Sequence, residues 1–258
     1  MGKVLLLDIG NTNIKLGLAD REKILEAFSL PSSRNYTADS VGLSLVQLLA
    51  YAGSSPTELD VILASSVVPS LSPLLRQACK KYLKRDLVLV PEDLPIPLKN
   101  RYEEPRQVGA DRLVGAYAAR MLFPEPASLI CIDYGTATTF DCVEGNAYLG
   151  GLICPGVLSS ASALSTRTAK LPVVSLETED KRPKPGRSTS TSINHGFIFG
   201  FAAMSEGICR RLAADLTAPN FVLATGGFAA SLARVTDCFD AVRPDLLLEG
   251  LRLMYANK

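Results

Sequence analysis

Two short motifs place an aspartate, a glycine and several amide or hydroxyl side chains directly after an apolar run. The first is D-I-G-N-T-N at residues 8–13, and the second is D-Y-G-T-A-T-T at residues 133–139. Glycine in such a turn permits a positive φ and lets a phosphate come close to the backbone, where successive N–H groups bind anions. Each motif alone is also compatible with a simple hairpin turn, whereas two copies indicate a pair of phosphate-binding loops.

The first motif carries the groups that nucleotide phosphates need. Asp8 can hold a hydrated Mg²⁺, and Lys15 adds a positive charge near phosphate oxygens. The predicted nucleotide-binding residues are Asp8, Ile9, Gly10, Asn11, Thr12, Asn13, Ile14 and Lys15, with Thr136 from the second motif.

A third motif, A-T-G-G at residues 224–227, follows another apolar strand. Its two glycines allow a flat adenine or ribose ring to lie against the backbone. The motif is equally compatible with an ordinary strand-to-helix turn, and in isolation that interpretation is favoured.

Residues 109–112, G-A-D-R, open a predicted helix after a proline-rich loop. Asp111 and Arg112 are adjacent, so one side chain can face a reacting hydroxyl while the other reaches an anion. The alternative is an aspartate stabilised by the helix dipole beside a surface arginine, and spacing alone favours that alternative.

The elements that position these motifs repeat along the chain. Predicted strands cover residues 3–8, 14–19, 24–30, 61–65, 87–90, 129–133, 138–143, 147–153 and 221–224. Predicted helices cover residues 40–51, 71–84, 110–122, 157–168, 193–214 and 244–255. Asp8 and Asp133 lie 125 residues apart, about half the chain. This predicts an internal duplication with an α/β layer in each half, with domains at 1–122 and 123–258.

Bulk composition excludes several other classes of protein. The chain has 258 residues, 47% of them hydrophobic, and a net charge of +1, so neither nucleic acid nor an anionic membrane is an expected partner. No apolar stretch approaches the ~20 residues that a membrane-spanning helix requires. The six cysteines form no C-x-x-C pair, so we expect a soluble, cytoplasmic protein.

The segment 177–192 is predicted to be mobile, as a solvated surface loop or as a lid over substrate.

The order of D-x-G-N-T, D-x-G-T-x-T and a late T-G-G resembles the superfamily of acetate and sugar kinases, Hsp70 chaperones and actin. That resemblance implies a duplicated ribonuclease H-like (actin-like ATPase) α/β fold, with two similar domains and a cleft between them. Neither G-x-x-x-x-G-K-S/T nor a G-x-G-x-x-G after a strand is present, which argues against P-loop kinases and dinucleotide-binding folds.

The middle of the chain resembles type III pantothenate kinases. The segment Y-E-E-P-R-Q-V-G-A-D-R at residues 102–112 is similar to the substrate signature of that family. Further similar segments are A-S-S-V-V-P at 64–69, G-G at 150–151, P-G at 155–156, A-L-S at 163–165 and R-T-A-K-L-P at 167–172.

The resemblance implies an ATP-dependent phosphorylation of pantothenate to 4′-phosphopantothenate, the first step of coenzyme A biosynthesis. It implies that Asp111, with an ordinary pKa, is the catalytic base. The implied substrate-binding residues are Tyr102, Gly109, Ala110, Asp111, Arg112 and Thr189. Asp133 matches the position at which the family binds a monovalent cation, either the metal ion potassium or ammonium. This cation would be bound in addition to the Mg²⁺ that accompanies ATP. The family is homodimeric, and Thr189 would complete the neighbouring site.

The Thr189 segment departs from the family pattern. Ser188 replaces an asparagine, and Asn194 and His195 replace a Gln-Ser pair, so Thr191 is an alternative in another register. His195 beside a glycine at a helix start is interpreted as structural.

Two other functions stay open at this point. One is a non-catalytic family member that acts as an accessory factor for transcription. The other is a kinase of the same superfamily with another small hydroxyl or carboxylate substrate. Retention of Asp8, Asp111 and Arg112 favours the enzyme, because a protein that only binds has no chemical need for them.

Overall fold

The computed structural model describes residues 2–166, 172 and 175–257. In the first half of the chain the elements are β1 (Lys3–Ile9), β2 (Asn13–Ala19), β3 (Ile24–Pro31), α1 (Ala38–Tyr51), β4 (Leu59–Ser66), α2 (Ser72–Ala78), β5 (Leu87–Val90), β6 (Lys99–Asn100) and α3 (Ala110–Leu122). In the second half they are β7 (Ser128–Tyr134), β8 (Ala137–Glu144), β9 (Ala147–Pro155), α4 (Val157–Thr166), α5 (Thr189–Ala214), β10 (Asn220–Gly226), α6 (Ala229–Leu232), β11 (Ala241–Val242) and α7 (Leu246–Ala256).

The two sheets share one topology, which confirms the predicted duplication. The first sheet has the order β3-β2-β1-β4-β5 and the second has the order β11-β10-β7-β8-β9-β6. In each, the first three strands of the half form an antiparallel meander, and two later strands add in parallel beside its first strand. The second sheet gains β6 as an extra edge strand, parallel to β9.

Residue contacts group the chain into two compact units. The first unit contains the chain up to Leu98, then Glu103–Leu122 and the chain from Leu246 onward; the second contains Lys99–Tyr102 and Phe123–Asp245. These units differ from the domains predicted at 1–122 and 123–258 in two segments. The predicted cleft between domains stays a prediction.

The C-terminal helix α7 accounts for the larger of these differences. It packs on α3 and β1 of the first unit and buries Leu247, Leu251 and Met254. Burial of apolar side chains is the main favourable term in folding, so the helix belongs with the core that covers it rather than with its neighbours in sequence.

Successive side chains of β1 lie on opposite faces of the first sheet, and only one of these faces packs against α1 and α2. Leu5, Leu7 and Ile9 lie in the core cluster formed with α1 and α2. Successive side chains of a strand point to opposite faces, so Asp8 lies on the other face, together with Leu6. The second unit repeats this arrangement: Ile132 and Tyr134 enter the core with α5, while Asp133 lies on the opposite face.

Several predicted elements differ from those of the structure. The predicted helix 71–84 is α2 followed by a π-helical turn at Cys79–Leu83. The predicted helix 157–168 ends at Thr166, and residues 167–168 lie outside the described part of the chain, as does most of the 167–172 motif. The short elements β6, α6 and β11 were not predicted.

The predicted surface loop over 177–192 ends earlier than expected, whereas its mobility stays a prediction. Helix α5 begins at Thr189, four residues before its predicted start. Ser188 and Thr191 form a capping box that satisfies the first amides of this helix, a hydrogen-bonding pattern that starts helices efficiently. Across 2–166, 172 and 175–257, the helices include none that is both long and apolar enough to span a bilayer.

Candidate functional site

The first of the two predicted phosphate-binding motifs forms the tight hairpin between β1 and β2. The Gly10 amide donates to the Asn13 carbonyl at 3.0 Å, and Ile9 pairs with Ile14 beyond the turn. Asn11, Thr12 and Asn13 are exposed at its tip. Their backbone and side-chain donors are thus held on a rigid hairpin and remain accessible to a phosphate.

Ser32, which the sequence analysis missed, ties this hairpin to the end of β3. Its hydroxyl donates to the Gly10 carbonyl at 2.5 Å, and its amide donates to the Thr12 carbonyl at 2.8 Å. Only the register of β3 against β2 brings Ser32 here, so no local sequence signal could have identified it.

Asp8 lies in β1 between Lys15 of β2 and Ser65 of β4, with which it pairs on either side. The buried Ser65 hydroxyl donates to Asp8 Oδ1 at 2.9 Å. Burial raises the pKa of Asp8 to about 6, the Ser65 hydrogen bond opposes this rise, and the charge of Asp111 adds to it. The carboxylate is therefore one that a nearby cation would stabilise.

Asp111 occupies the first turn of α3, in the same unit as Asp8. Its Oδ1 accepts from the Arg112 amide at 2.8 Å, and the Gly109 carbonyl accepts the helical bond from the Leu113 amide at 3.3 Å. Burial raises the pKa of Asp111, while the Arg112 amide and charge lower it. The expected ordinary pKa was wrong, because α3 carries the carboxyl into a desolvated position.

Packing of the first turn explains this position. Ala110 is 7% exposed, whereas Asp111 and Arg112 are half-buried. The structure thus brings the predicted residues Asp8–Lys15 and Gly109–Arg112 into one unit, with the carboxylates of Asp8 and Asp111 close enough for their charges to interact.

The other predicted phosphate-binding motif joins β7 to β8 in the second unit. Its Gly135 amide donates to the Ala137 carbonyl at 3.0 Å, and the Ser159 hydroxyl donates to the Thr136 carbonyl at 2.7 Å. The Thr136 backbone is therefore fixed by the start of α4.

The T-G-G motif lies beside this turn, because β10 pairs in parallel with β7 and places Thr225 opposite Asp133. Gly226 has φ +88°, and a Cβ there would overlap the Asp133 carboxylate and approach the Tyr134 carbonyl to 2.6 Å. Only glycine fits this position without strain. Gly226 thus shapes the surroundings of Asp133, a role that its sequence motif did not reveal.

Tyr102 belongs to the second unit, on the segment that follows β6. The Arg101 amide donates to the Tyr148 carbonyl at 2.9 Å, which joins this segment to β9. The Tyr102 ring lies over Gly150, which has φ +120° and whose Cβ would be 3.4 Å from the ring.

Thr189 and Thr191 both lie in the first turn of α5, but their hydroxyls differ. Thr191 Oγ1 accepts from the Ser188 amide and donates to its carbonyl, both at 3.1 Å. Thr189 is exposed. Capping thus occupies the hydroxyl of Thr191, which leaves Thr189 as the better candidate for a substrate contact.

His195 ties the preceding segment to α5. Its Nδ1 donates to the Lys184 carbonyl at 2.9 Å, its Nε2 lies 3.4 Å from Asp180, and its ring packs edge-on against Phe199. These contacts give the histidine a structural role.

Comparison with known proteins identifies the family of this chain. A family model described as type III pantothenate kinase matches residues 4–211. A type III pantothenate kinase of Nitratidesulfovibrio vulgaris is 61% identical over 254 residues, which are 98% of this chain and 97% of the relative.

Solved structures bear on the fold. A Campylobacter jejuni protein described as a Baf family transcriptional activator has a TM-score of 0.59 at 20% identity, with 98% of both chains covered. A ROK family glucokinase from Streptomyces griseus, in complex with glucose and AMPPNP, has a TM-score of 0.55 at 14% identity, with 97% of this chain and 98% of the other covered. At these identities the likeness establishes the fold alone and confirms the predicted actin-like ATPase fold.

The family model covers most of the chain, and the relative is similar over nearly all of it. The chain therefore belongs to the type III pantothenate kinase family, as its motifs predicted.

Proposed function

We propose that Asp111 is the base in transfer of the γ-phosphoryl group of ATP to the primary hydroxyl of pantothenate. As a type III pantothenate kinase, the protein is an ATP-dependent phosphotransferase that acts in coenzyme A biosynthesis. The hydroxyl oxygen of pantothenate bonds to the γ-phosphorus while the bond to the leaving ADP oxygen breaks. The hydroxyl proton passes to the Asp111 carboxylate.

The observation that carries this assignment is the position of the half-buried Asp111 carboxyl in the first turn of α3, where burial also raises its pKa. A base becomes more effective as its pKa approaches the working pH. Phosphoryl transfer also depends chiefly on positioning and on compensation of charge. The Arg112 amide that donates to Asp111 Oδ1 at 2.8 Å holds the carboxylate on the rigid start of α3.

In the first unit, the hairpin residues Asp8–Lys15 contact the nucleotide phosphates. In the second unit, the proposed phosphate contact is Thr136. Kinases of this kind use ATP with a divalent metal. Asp8 fits Mg²⁺, because its half-buried carboxylate, with a pKa that burial raises to about 6, lies near the charge of Asp111, and a cation would stabilise both. Bound Mg²⁺ supplies charge neutralisation at the triphosphate.

The substrate pantothenate contacts the remaining predicted residues. Arg112 offers a planar, permanently charged donor set for the pantothenate carboxylate or the transferred phosphoryl group. Tyr102, Gly109, Ala110 and Thr189 orient the rest of the molecule. Support for Thr189 over Thr191 comes from the capping bonds that occupy the Thr191 hydroxyl.

Asp133 holds the monovalent cation, potassium or ammonium. Its carboxylate and the Tyr134 carbonyl both lie against Gly226, and oxygen donors of this kind suit a hard cation. The cation supplies positive charge that offsets the triphosphate.

The active protein is a homodimer in which Thr189 serves the neighbouring site. Support comes from Ile153 and Leu158 of the second unit, which are near each other in sequence and are 65% and 61% exposed, since exposed apolar surface is typical of protein interfaces. Light scattering at several concentrations tests the dimer, which a monomer at all concentrations would refute.

The deciding experiment is pantothenate-dependent release of ADP by the wild type and by Asp111→Asn, with and without K⁺. We expect the substitution to lower kcat by about 10²- to 10⁴-fold, with the KM for ATP little changed. Full activity would remove Asp111 as the base. Equal activity with and without K⁺ would refute the proposed role of the monovalent cation. Assays with sugars and acetate in place of pantothenate test the proposed substrate.

A further inference from the structure

A buried polar network lies beneath Tyr102 on the face of the second sheet that carries Asp133. The Tyr148 hydroxyl donates to Asp141 Oδ1, and the Thr139 hydroxyl donates to Asp141 Oδ2, both at 2.9 Å. Tyr148 is fully buried, and Asp141 is 3% exposed. A buried carboxylate is costly unless hydrogen bonds satisfy it, so this arrangement fixes both hydroxyls.

Tyr148 in turn contacts Tyr102. The centroids of the two rings are 6.4 Å apart, with an angle of 35° between the ring planes. Pairs of aromatic rings at this separation attract each other beyond simple burial. Tyr148 is therefore an anchored ring against which the half-buried Tyr102 rests.

The backbone around Tyr102 restricts it from two other sides. Asn100 pairs with Tyr148 across β6 and β9, and the Asn100 side chain accepts from the Tyr102 amide at 3.0 Å. Gly150 adds the close contact with the ring that was described above. The position of the Tyr102 ring is thus restricted by Tyr148, by Gly150 and by the β6 segment.

We infer that Tyr148 and Asp141 are positioning residues for the substrate pantothenate, acting through Tyr102. This inference rests on the proposed role of Tyr102 in substrate binding. Asp141 holds the Tyr148 hydroxyl, Tyr148 holds the Tyr102 ring, and Tyr102 contacts pantothenate. Thr139 of this network also lies directly opposite Asp133, the proposed cation ligand, in the pairing of β7 and β8.

The first test is Tyr148→Phe, which removes one hydroxyl and keeps the ring. Since loss of a hydrogen bond is worth about 1 kcal/mol, the KM for pantothenate should rise about fivefold. The KM for ATP and kcat should stay within about twofold of the wild type, because ATP contacts other residues. Asp141→Ala removes the acceptor instead and should give the same pantothenate-specific increase.

Tyr255→Phe is the matched control. Tyr255 is also buried, and its hydroxyl donates to the Asp60 carboxylate at 2.6 Å. It belongs to the first unit, and its hydrogen-bond partners Asp60 and Gly2 are not proposed site residues. Both Phe variants should lower the melting temperature, and only Tyr148→Phe should change the KM for pantothenate. A lower melting temperature for Tyr148→Phe with an unchanged pantothenate KM would show a merely structural role and overturn the inference.

A double-mutant cycle with Tyr102→Ala shows whether Tyr148 acts through Tyr102. In the Tyr102→Ala background, Tyr148→Phe should cause no further increase in the pantothenate KM. An equal increase in both backgrounds would overturn the inference. If Tyr102→Ala itself leaves that KM unchanged, the proposed role of Tyr102 fails and the inference fails with it. If Tyr102→Ala changes the KM for pantothenate but Tyr148→Phe does not, the inference fails and the proposed role of Tyr102 stands.

Discussion

Asp8 and Ser65 lie directly opposite each other on the parallel strands β1 and β4, and the buried serine hydroxyl donates to the aspartate at 2.9 Å. Asp8 thereby has two neighbours on adjacent strands, Ser65 of β4 on one side and Lys15 of β2 on the other. Both contacts lower its pKa against the effect of burial. Ser65 therefore helps to keep a desolvated carboxylate ionised at neutral pH.

We predict that Ser65→Ala raises the KM for ATP about tenfold, since hydrogen bonds to charged groups contribute about 1.5–3 kcal/mol. Without this donor the pKa of Asp8 rises further, so the acid limb of the kcat/KM profile should move to higher pH. Steady-state kinetics from pH 5 to 8 measure both effects.

Ser128→Ala is the control for this prediction. Ser128 is also fully buried in a strand, and its hydroxyl donates to the Thr217 carbonyl at 2.8 Å. It should lose stability without a change in the KM for ATP. An unchanged KM and pH profile in Ser65→Ala would show that Asp8 does not depend on this bond.

The pKa of Asp8, raised to about 6 from an ordinary value of 3.8, makes stability depend on pH. The folded state binds the proton more tightly than the unfolded state, so this contribution is complete below about pH 4 and is lost as the pH rises through about 6. Asp8→Asn carries no charge and should unfold with a free energy up to about 3 kcal/mol larger at pH 7.5. Urea unfolding without nucleotide or metal, at pH 4 and pH 7.5, measures the difference.

The stabilisation by Asp8→Asn should disappear at pH 4. Asp20→Asn is the control, because backbone amides at Lys23 and Glu22 lower the pKa of that exposed carboxyl. Its substitution should give no gain at pH 7.5. A stabilisation of Asp8→Asn that is equal at both pH values would contradict the raised pKa.

Gly226 and Gly227 offer neighbouring substitutions with opposite expectations. A Cβ at Gly226 would overlap the Asp133 carboxylate, whereas none of the described atoms lies within 4 Å of a Cβ built at Gly227. Gly226→Ala should therefore lower the melting temperature and abolish activation by K⁺. Gly227→Ala should preserve both, and the K⁺ dependence of ADP release measures the contrast. Normal activation by K⁺ in Gly226→Ala would contradict the proposal that Asp133 binds the monovalent cation.

Substitution of the two threonines in the first turn of α5 should affect different properties, stability in one case and the KM for pantothenate in the other. Thr191→Ala removes a capping partner and should cost about 1 kcal/mol of stability, with little effect on the KM for pantothenate. Thr189→Ala should raise that KM several-fold with an unchanged melting temperature. Thermal unfolding and steady-state kinetics on both variants decide this, and the reverse pattern would assign the substrate contact to Thr191.

Much of this fold could be predicted because its signals are local. Apolar runs that stop at an aspartate and glycine marked β1 and β7, and the 125 residues between Asp8 and Asp133 indicated the duplication. The turns predicted to bind phosphate and the G-A-D-R helix start could also be recognised, because glycine and aspartate restrict the backbone within a few residues. Element ends were less certain, as the early start of α5 shows, since a capping box of small hydroxyl residues resembles a loop.

Amino-acid sequence alone determined the superfamily, the family and the residue types of the candidate site, all of which depend on short motifs and their order. Tertiary structure decided what surrounds each residue: Ser65 beside Asp8, Ser32 on the Gly10 turn, Gly226 against Asp133, and Asp141 beneath Tyr148. These pairs join residues from separate strands or loops. Strand register creates them, and register depends on the packing of a whole sheet, so no single segment of the sequence contains that information.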